Sequence, residues 1–144
     1  MKIGISACLL GDKVRFDGKD KRNEKLIKLL KNHEIIKICP EIESGFPIPH
    51  LPIELQNNKA YTKDNKDVTK QLIKGSNKTY QKIKDCDLII LKTKSPSCGY
   101  QKIYDGSFTN KLIKGNGIFT QICIDNNKKI YTDEDIDLLT KLLK

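Results

Sequence analysis

The sequence contains no tryptophan, one methionine and two histidines, and its rings are limited to four phenylalanines and five tyrosines in 144 residues. So sparse a set offers no evident stacking platform for bases. No uninterrupted apolar stretch approaches the roughly 20 residues that a membrane span needs, and the first residues lack the apolar core and small-residue cleavage site of a secretory signal. The expectation is a cytoplasmic protein with no membrane partner. Arginine is scarce as well: Arg15 and Arg22 are the only two, so lysine carries almost all of the positive charge behind the formal net of +9. Lysines spread over the whole chain and interleaved with Asn and Ile read as a solvated face. The alternative, a nucleic-acid footprint, would call for clustered Arg. There is no Cys-x-x-Cys pair, and the cysteines number five. An odd count without a secretion signal argues against a disulfide framework and for free, metal-binding or catalytic thiols in a reducing compartment.

What the chain does have is cysteine at the ends of apolar runs. Cys8 follows Lys2-Ile3-Gly4-Ile5-Ser6-Ala7, Cys39 follows Glu34-Ile35-Ile36-Lys37-Ile38, and Cys98 lies in the Ser95-Pro96-Ser97-Cys98-Gly99 loop after Leu88-Ile89-Ile90-Leu91. If the runs are parallel strands of one sheet, these loops share its carboxyl edge, where open α/β folds bind ligands. Three thiolates meeting there can hold a metal or an iron–sulfur cluster. Cys86 opens the third run at the opposite edge and Cys123 falls in a predicted helix, so these two read as packing residues.

Strand and helix alternate along the rest of the chain. Asn23 can cap a helix whose Leu26, Leu29 and Leu30 share a face. Residues 34–38 form a second strand. A stretch with Pro40, Pro47, Pro49 and Pro52 reads as a long loop that cannot be regular helix. Asp67 can cap a second helix with Val68, Leu72, Tyr80 and Ile83 inward and Gly75 as its weak point. Residues 86–92 are apolar enough for a strand buried on both faces of a parallel sheet. Tyr104 to Phe108 reads as a turn, Gly115-Asn116-Gly117 opens a helix over about 118–124, and a short strand follows near 129–131. Thr132-Asp133-Glu134-Asp135 has capping-box spacing before a last helix with Ile136, Leu139 and Leu143 inward. His33, at a helix end, reads as a surface residue. The pattern predicts one domain over residues 1–144, a Rossmann- or flavodoxin-like three-layer α/β sandwich around a mostly parallel sheet of about four strands. No uncovered stripe or heptad indicates an oligomeric state.

Several chemistries suit such a thiol set. A cysteine-dependent phosphatase or arsenate reductase needs an arginine after five residues, whereas six separate Cys8 from Arg15 and one of them is Asp12. Zinc would need a fourth protein ligand from His50, Cys86 or a carboxylate. A 4Fe–4S cluster with one iron open to substrate uses three thiolates and needs no fourth.

The motifs themselves resemble the thiouracil desulfidase family. They are Ile5-Ser6-Ala7-Cys8-Leu9-Leu10-Gly11 with Val14-Arg15-Phe16-Asp17-Gly18, then Cys39-Pro40-Glu41-Ile42-Glu43-Ser44-Gly45 with Pro47-Ile48-Pro49, then Lys94-Ser95-Pro96-Ser97-Cys98-Gly99 and Asp105-Gly106-Ser107-Phe108. The resemblance spans nearly the whole chain in order. It implies a [4Fe–4S] cluster held by Cys8, Cys39 and Cys98 with one iron free of protein, Glu41 as catalytic acid, and Ser95, or alternatively Ser97, as its partner. The implied reaction is non-redox: thiocarbonyl and water give carbonyl and hydrogen sulfide. The implied substrate is a small thiolated pyrimidine or nucleoside, with thiolated tRNA as a further candidate because relatives process it. Arg15, Asp17 and His50 are the candidate substrate contacts. This chain departs from the family at Pro49-His50-Leu51-Pro52, where such sequences usually read Pro-Arg-x-Pro. Read alone, Glu41 is a loop-ordering carboxylate, Ser95-Pro96-Ser97 an ordinary turn, and Arg15 with Asp17 a local ion pair. The competing function is a non-catalytic metal- or RNA-binding domain in which the same cysteines hold a structural ion.

Overall fold

The apolar runs become strands because their β-branched residues pack well on a pleated surface. The computed structural model describes residues 1–143. β1 (Lys2–Ser6) passes through a 3-10 turn at Ala7–Leu10 to α1 (Glu24–Leu29), then β2 (Glu34–Ile38) and the one-turn α2 (Pro40–Glu43). A hairpin of β3 (Ile53–Gln56) and β4 (Lys59–Thr62) precedes α3 (Thr69–Ile83) and β5 (Leu88–Leu91). A second hairpin, β6 (Lys102–Tyr104) with β7 (Leu112–Lys114), leads to α4 (Ile118–Asp125), β8 (Ile130–Thr132) and α5 (Ile136–Leu143).

β2, β1, β5 and β8 form one sheet in that order, with every pairing parallel. Side-chain alternation divides the core between its two faces. Ile3 and Ile5 of β1 and Leu88 and Ile90 of β5 pack with Leu26 and Leu30 from the α1 side and Leu139 and Leu143 of α5. Ile89 and Leu91 pack on the other face with Ile83 of α3 and Phe119 and Cys123 of α4. Each fully buried aliphatic side chain contributes roughly 1.5–3 kcal/mol, so this two-sided burial is the main force behind the sheet. The result is the three-layer α/β sandwich expected from the sequence. β1 has β2 on one side and β5 on the other, which makes its carboxyl end the topological switch point where ligands bind.

The caps of α1 and α5 follow the sequence signals, whereas the N-cap of α3 is Val68 and Asp67 stands one residue before it, holding Thr69. The Asn23 side chain accepts the Leu26 N–H at 3.1 Å, and Asp67 accepts both the Thr69 N–H at 2.9 Å and its hydroxyl at 2.6 Å. Before α5 the Thr132 N–H donates to Asp135 Oδ2 while Thr132 Oγ1 accepts from the Glu134 N–H, a reciprocal cap.

Further features differ from expectation, the β6–β7 hairpin among them. The proline-rich stretch does hold a helical turn, because Pro40 stands at its first position, where the missing N–H costs nothing. The same stretch enters the β3–β4 hairpin, whose two-residue Asn57-Asn58 turn has φ of 51° and 65°. Gly75 is no weak point: it is buried in an unbroken α3, and a Cβ there would stand 1.9 Å from Ser44 Oγ, so its bareness lets α2 seat on α3. His33 is half-buried, with Nδ1 3.3 Å from the N-terminal amine and Nε2 3.2 Å from the Leu143 carbonyl.

Candidate active site

Each of the three strand-end cysteines is positioned by a different local device. Cys8 lies in the 3-10 turn that ends β1 and is buried; Gly11 closes that turn with φ of 99° and donates its N–H to the Cys8 carbonyl at 3.2 Å. Cys39 follows β2 directly and is the N-cap residue of α2, so Glu41 comes two residues later within the helical turn. Cys98 is set by its own loop: Ser95 Oγ accepts the Cys98 N–H at 2.6 Å. The start of α4 buttresses that loop, with Ile118 N–H donating to the Pro96 carbonyl at 2.9 Å and Thr120 N–H to the Ser97 carbonyl at 3.1 Å. Gly117 makes this approach feasible, since a Cβ there would lie 2.4 Å from the Ser97 carbonyl group.

All three cysteines line one cavity of about 270 Å³ at the switch point, together with Glu41, Ser95 and Ser97. All five cysteines are free. Burial pushes the Cys8 thiol up to about 12, with the neighbouring Cys39 adding to the rise and Lys92 and Arg15 opposing it. Burial likewise lifts Cys39 to about 11 and raises Cys98. At neutral pH these thiols are therefore protonated until a metal displaces their protons. Among the described residues no three Cys, His, Asp or Glu side chains are close enough to share a single metal ion. Three thiols on separate loops of one cavity wall are the donor set of a multi-iron centre, whose ligands bind separate irons. Cys86 and Cys123 lie instead in the apolar cluster beneath α3 and α4, as packing predicts.

The remaining candidates separate. Glu41 is held from both sides: Ser97 Oγ donates to Oε2 at 3.2 Å, and His50 Nε2 lies 3.5 Å from Oε1. Ser97 is buried at 1% exposure and is the serine that touches Glu41, whereas Ser95 serves the Cys98 backbone and stands 3.4 Å from Ser97 Oγ. His50 stands behind Glu41 rather than on the cavity wall. Burial alone would lower its pKa, but hydrogen bonding to Glu41 and to the Leu51 carbonyl outweighs this and raises it. Arg15 lines the cavity, with its guanidinium 5.7 Å from the Phe16 ring centroid. Asp17 points to the loop, 3.6 Å from Arg15 and accepting the Lys19 N–H at 3.0 Å. The ion pair and the cavity position thus coexist for Arg15.

Sequence reasoning missed Lys92, Lys94, Lys21 and Tyr104, all of which line the cavity. Lys92 carries the clearest signal in retrospect, since it is the first polar residue after β5. Its ammonium is 3.7 Å from Asp133 Oδ2 and donates to the Thr93 carbonyl and hydroxyl, each at 3.2 Å. Asp133 also accepts the Thr93 N–H at 2.9 Å, so the turn after β8 fixes the lysine.

The family model described as 2-thiouracil desulfurase matches residues 3–135. The YbbK protein of Bacillus subtilis (strain 168), described only as uncharacterized, is 31% identical over 147 residues, covering 94% of this chain and 97% of its own. The solved structure of TudS, a [4Fe-4S]-dependent thiouracil desulfidase, superimposes with a TM-score of 0.90 at 31% identity over 99% of this chain and 97% of that one.

Proposed function

The chain belongs to the 2-thiouracil desulfurase family, and we propose that it hydrolyses the thiocarbonyl of a small thiolated pyrimidine or nucleoside in the Cys8–Cys39–Cys98 cavity. The observation that carries this reading is the meeting of three separated thiols with a carboxylate and a buried hydroxyl at one sheet edge. The likeness to a [4Fe-4S]-dependent desulfidase supports the same cofactor here, with Cys8, Cys39 and Cys98 as ligands and one iron left open. A cluster so held supplies a soft Lewis acid that prefers thiocarbonyl sulfur to the carbonyl oxygens of ordinary pyrimidines.

The chain's own residues handle binding and protons. Glu41 takes one proton from the attacking water and, as the carbonyl forms, the second from the added hydroxyl, passing each in turn to the departing sulfur, so that thiocarbonyl and water become carbonyl and hydrogen sulfide with no change of oxidation state. Ser97 donates to the carboxylate oxygen Oε2, which ties that end of the acid–base group to the Cys98 loop. Lys92 and Arg15 place positive charge beside Cys8, favouring an anionic centre. The cavity is slightly smaller than the roughly 300–1,000 Å³ usual for drug-sized ligands, which favours a single ring as the reacting group.

Anaerobic reconstitution with iron and sulfide, followed by assay of sulfide release from 2-thiouracil and 4-thiouracil, tests the proposal. The expected result is about four irons per chain and cluster-dependent release. Cys39→Ser loses the iron. Glu41→Gln and Ser97→Ala keep it, and Glu41→Gln slows release by about 10²–10⁴-fold, the usual contribution of a positioned acid–base group. Ser95→Ala loosens the Cys98 backbone and shows first as reduced iron content. Bound iron without release from either base or from thiouridine would overturn the desulfidase reading.

A further inference from the structure

His50 was a candidate substrate contact, yet its ring is built into the protein behind Glu41. Its Nδ1 donates to the Leu51 carbonyl at 2.7 Å and its Nε2 faces Glu41 Oε1 at 3.5 Å; both partners only accept, so the ring that holds them carries a proton on each nitrogen. Phe46 and Phe16 flank the ring with centroids at 5.2 and 6.2 Å, and the His50 backbone N–H donates to the Phe16 carbonyl at 2.8 Å. The side chain is only 9% exposed. A ring fixed at one nitrogen and packed on its faces has no freedom to swing toward a substrate.

We propose that His50 is a positioning residue that acts through Glu41, fixing Oε1 so that Oε2, with Ser97, is the oxygen presented to the reaction. This rests on the desulfidase reading of the cavity. A carboxylate anchored at one oxygen rotates about its last torsion; anchored at both it has a single orientation, and misplacing a reacting group by about 1 Å can cost 10²-fold in rate. The loop from Arg15 to Gly18 is joined to the same device, because Phe16 both packs on His50 and accepts its backbone N–H. That loop therefore serves Glu41 as well as the cavity wall.

The test compares His50→Gln, His50→Asn and His50→Leu in the cluster-loaded enzyme, with iron content and thermal midpoint measured for each. Glutamine keeps an N–H where Nε2 stands, asparagine keeps one only where Nδ1 stands, and leucine keeps neither. Expected is a fall in kcat of about 10–100-fold for His50→Asn and His50→Leu, the usual loss when a supporting partner is removed, with KM and iron unchanged and His50→Gln near wild type. A raised KM with kcat retained would make His50 a substrate contact and overturn the proposal. So would His50→Asn matching His50→Gln at equal thermal stability, a comparison that stands even if His50→Leu fails to fold. Crystal structures of the metal-free wild type and His50→Asn give a readout independent of activity. Glu41 should lose its single orientation in the variant, and an unchanged Glu41 would overturn the proposal even if the wild type proved inactive, a result that by itself would count only against the desulfidase reading.

Discussion

Glu41 and its two anchors define a small charged unit whose pH behaviour can be worked out from His50. The hydrogen bonds that lift the His50 pKa stabilise its protonated form more in the folded chain than in the unfolded one. The stabilisation is therefore fully present below the unfolded value of about 6.5 and is lost as pH rises through the higher folded value. Urea unfolding of the metal-free protein should show wild type most favoured over His50→Gln near about pH 5.5, with the gap narrowing by about pH 8. A gap that widened with pH would mean that desolvation governs His50. At this scale the sequence made the thiols legible, because Cys8, Cys39 and Cys98 each end an apolar run. Asp17 illustrates the limit: beside Arg15 in a turn it reads as a substrate contact or as an ion-pair partner, and the loop closure that places it, with Gly18 N–H donating to the Arg15 carbonyl at 2.9 Å and Lys19 N–H donating to Asp17, is not legible from the residues alone. Lys92 was hidden for the converse reason, since its place depends on Asp133, forty-one residues away in sequence.

The active-site elements are short and depend on neighbours for their placement. α2 is a single turn that could not persist alone, and it is fixed by the close approach of Ser44 to Gly75. A methyl group at Gly75 would meet Ser44 Oγ at 1.9 Å and Ser44 backbone atoms at 2.4 and 2.5 Å. The backbone cannot yield as a side chain can, so the gain of about 1 kcal/mol in helix propensity from Gly75→Ala is overcome by an overpacking cost on the order of 1–3 kcal/mol. Gly75→Ala should lower thermal stability and, by displacing α2, reduce sulfide release. Asn77→Ala, on the exposed face of the same helix, should leave both within error or slightly raise stability. If Gly75→Ala instead behaved like Asn77→Ala, the α2–α3 contact would not matter to the site. The sequence shows the central parallel strands as unbroken apolar runs and their helices through an apolar face. It hides the hairpins, whose strands are short and mix polar with apolar residues, and α2, whose signal is one proline at the first position. The Asn57-Asn58 pair was the available hint for β3 and β4, since Asn tolerates positive φ.

Across the whole molecule, the three strand-end cysteines stand on parts of the chain far apart in sequence. Cys8 belongs to the end of β1, Cys39 to the end of β2, and Cys98 to a loop held by the start of α4. A cluster bound to all three would tie the two central strand ends to the α4 side of the sandwich, and it would bind the folded chain far better than the unfolded one. Such linkage stabilises by about 2.7 kcal/mol when the free ligand is a hundredfold above its dissociation constant, roughly 5–10 °C in thermal midpoint for a chain of this size. Burial has already raised all three thiols, so loading releases protons and should strengthen with rising pH over the neutral range. Differential scanning calorimetry under anaerobic conditions should show the midpoint rise in wild type on reconstitution and no rise in Cys39→Ser. Cys86→Ser and Cys123→Ser should start lower, because they place a hydroxyl in the apolar cluster under α3 and α4, yet should gain the same increment on loading. Loss of the increment in either packing variant would bring a fourth cysteine into the cofactor site, and an increment kept by Cys39→Ser would remove Cys39 from it.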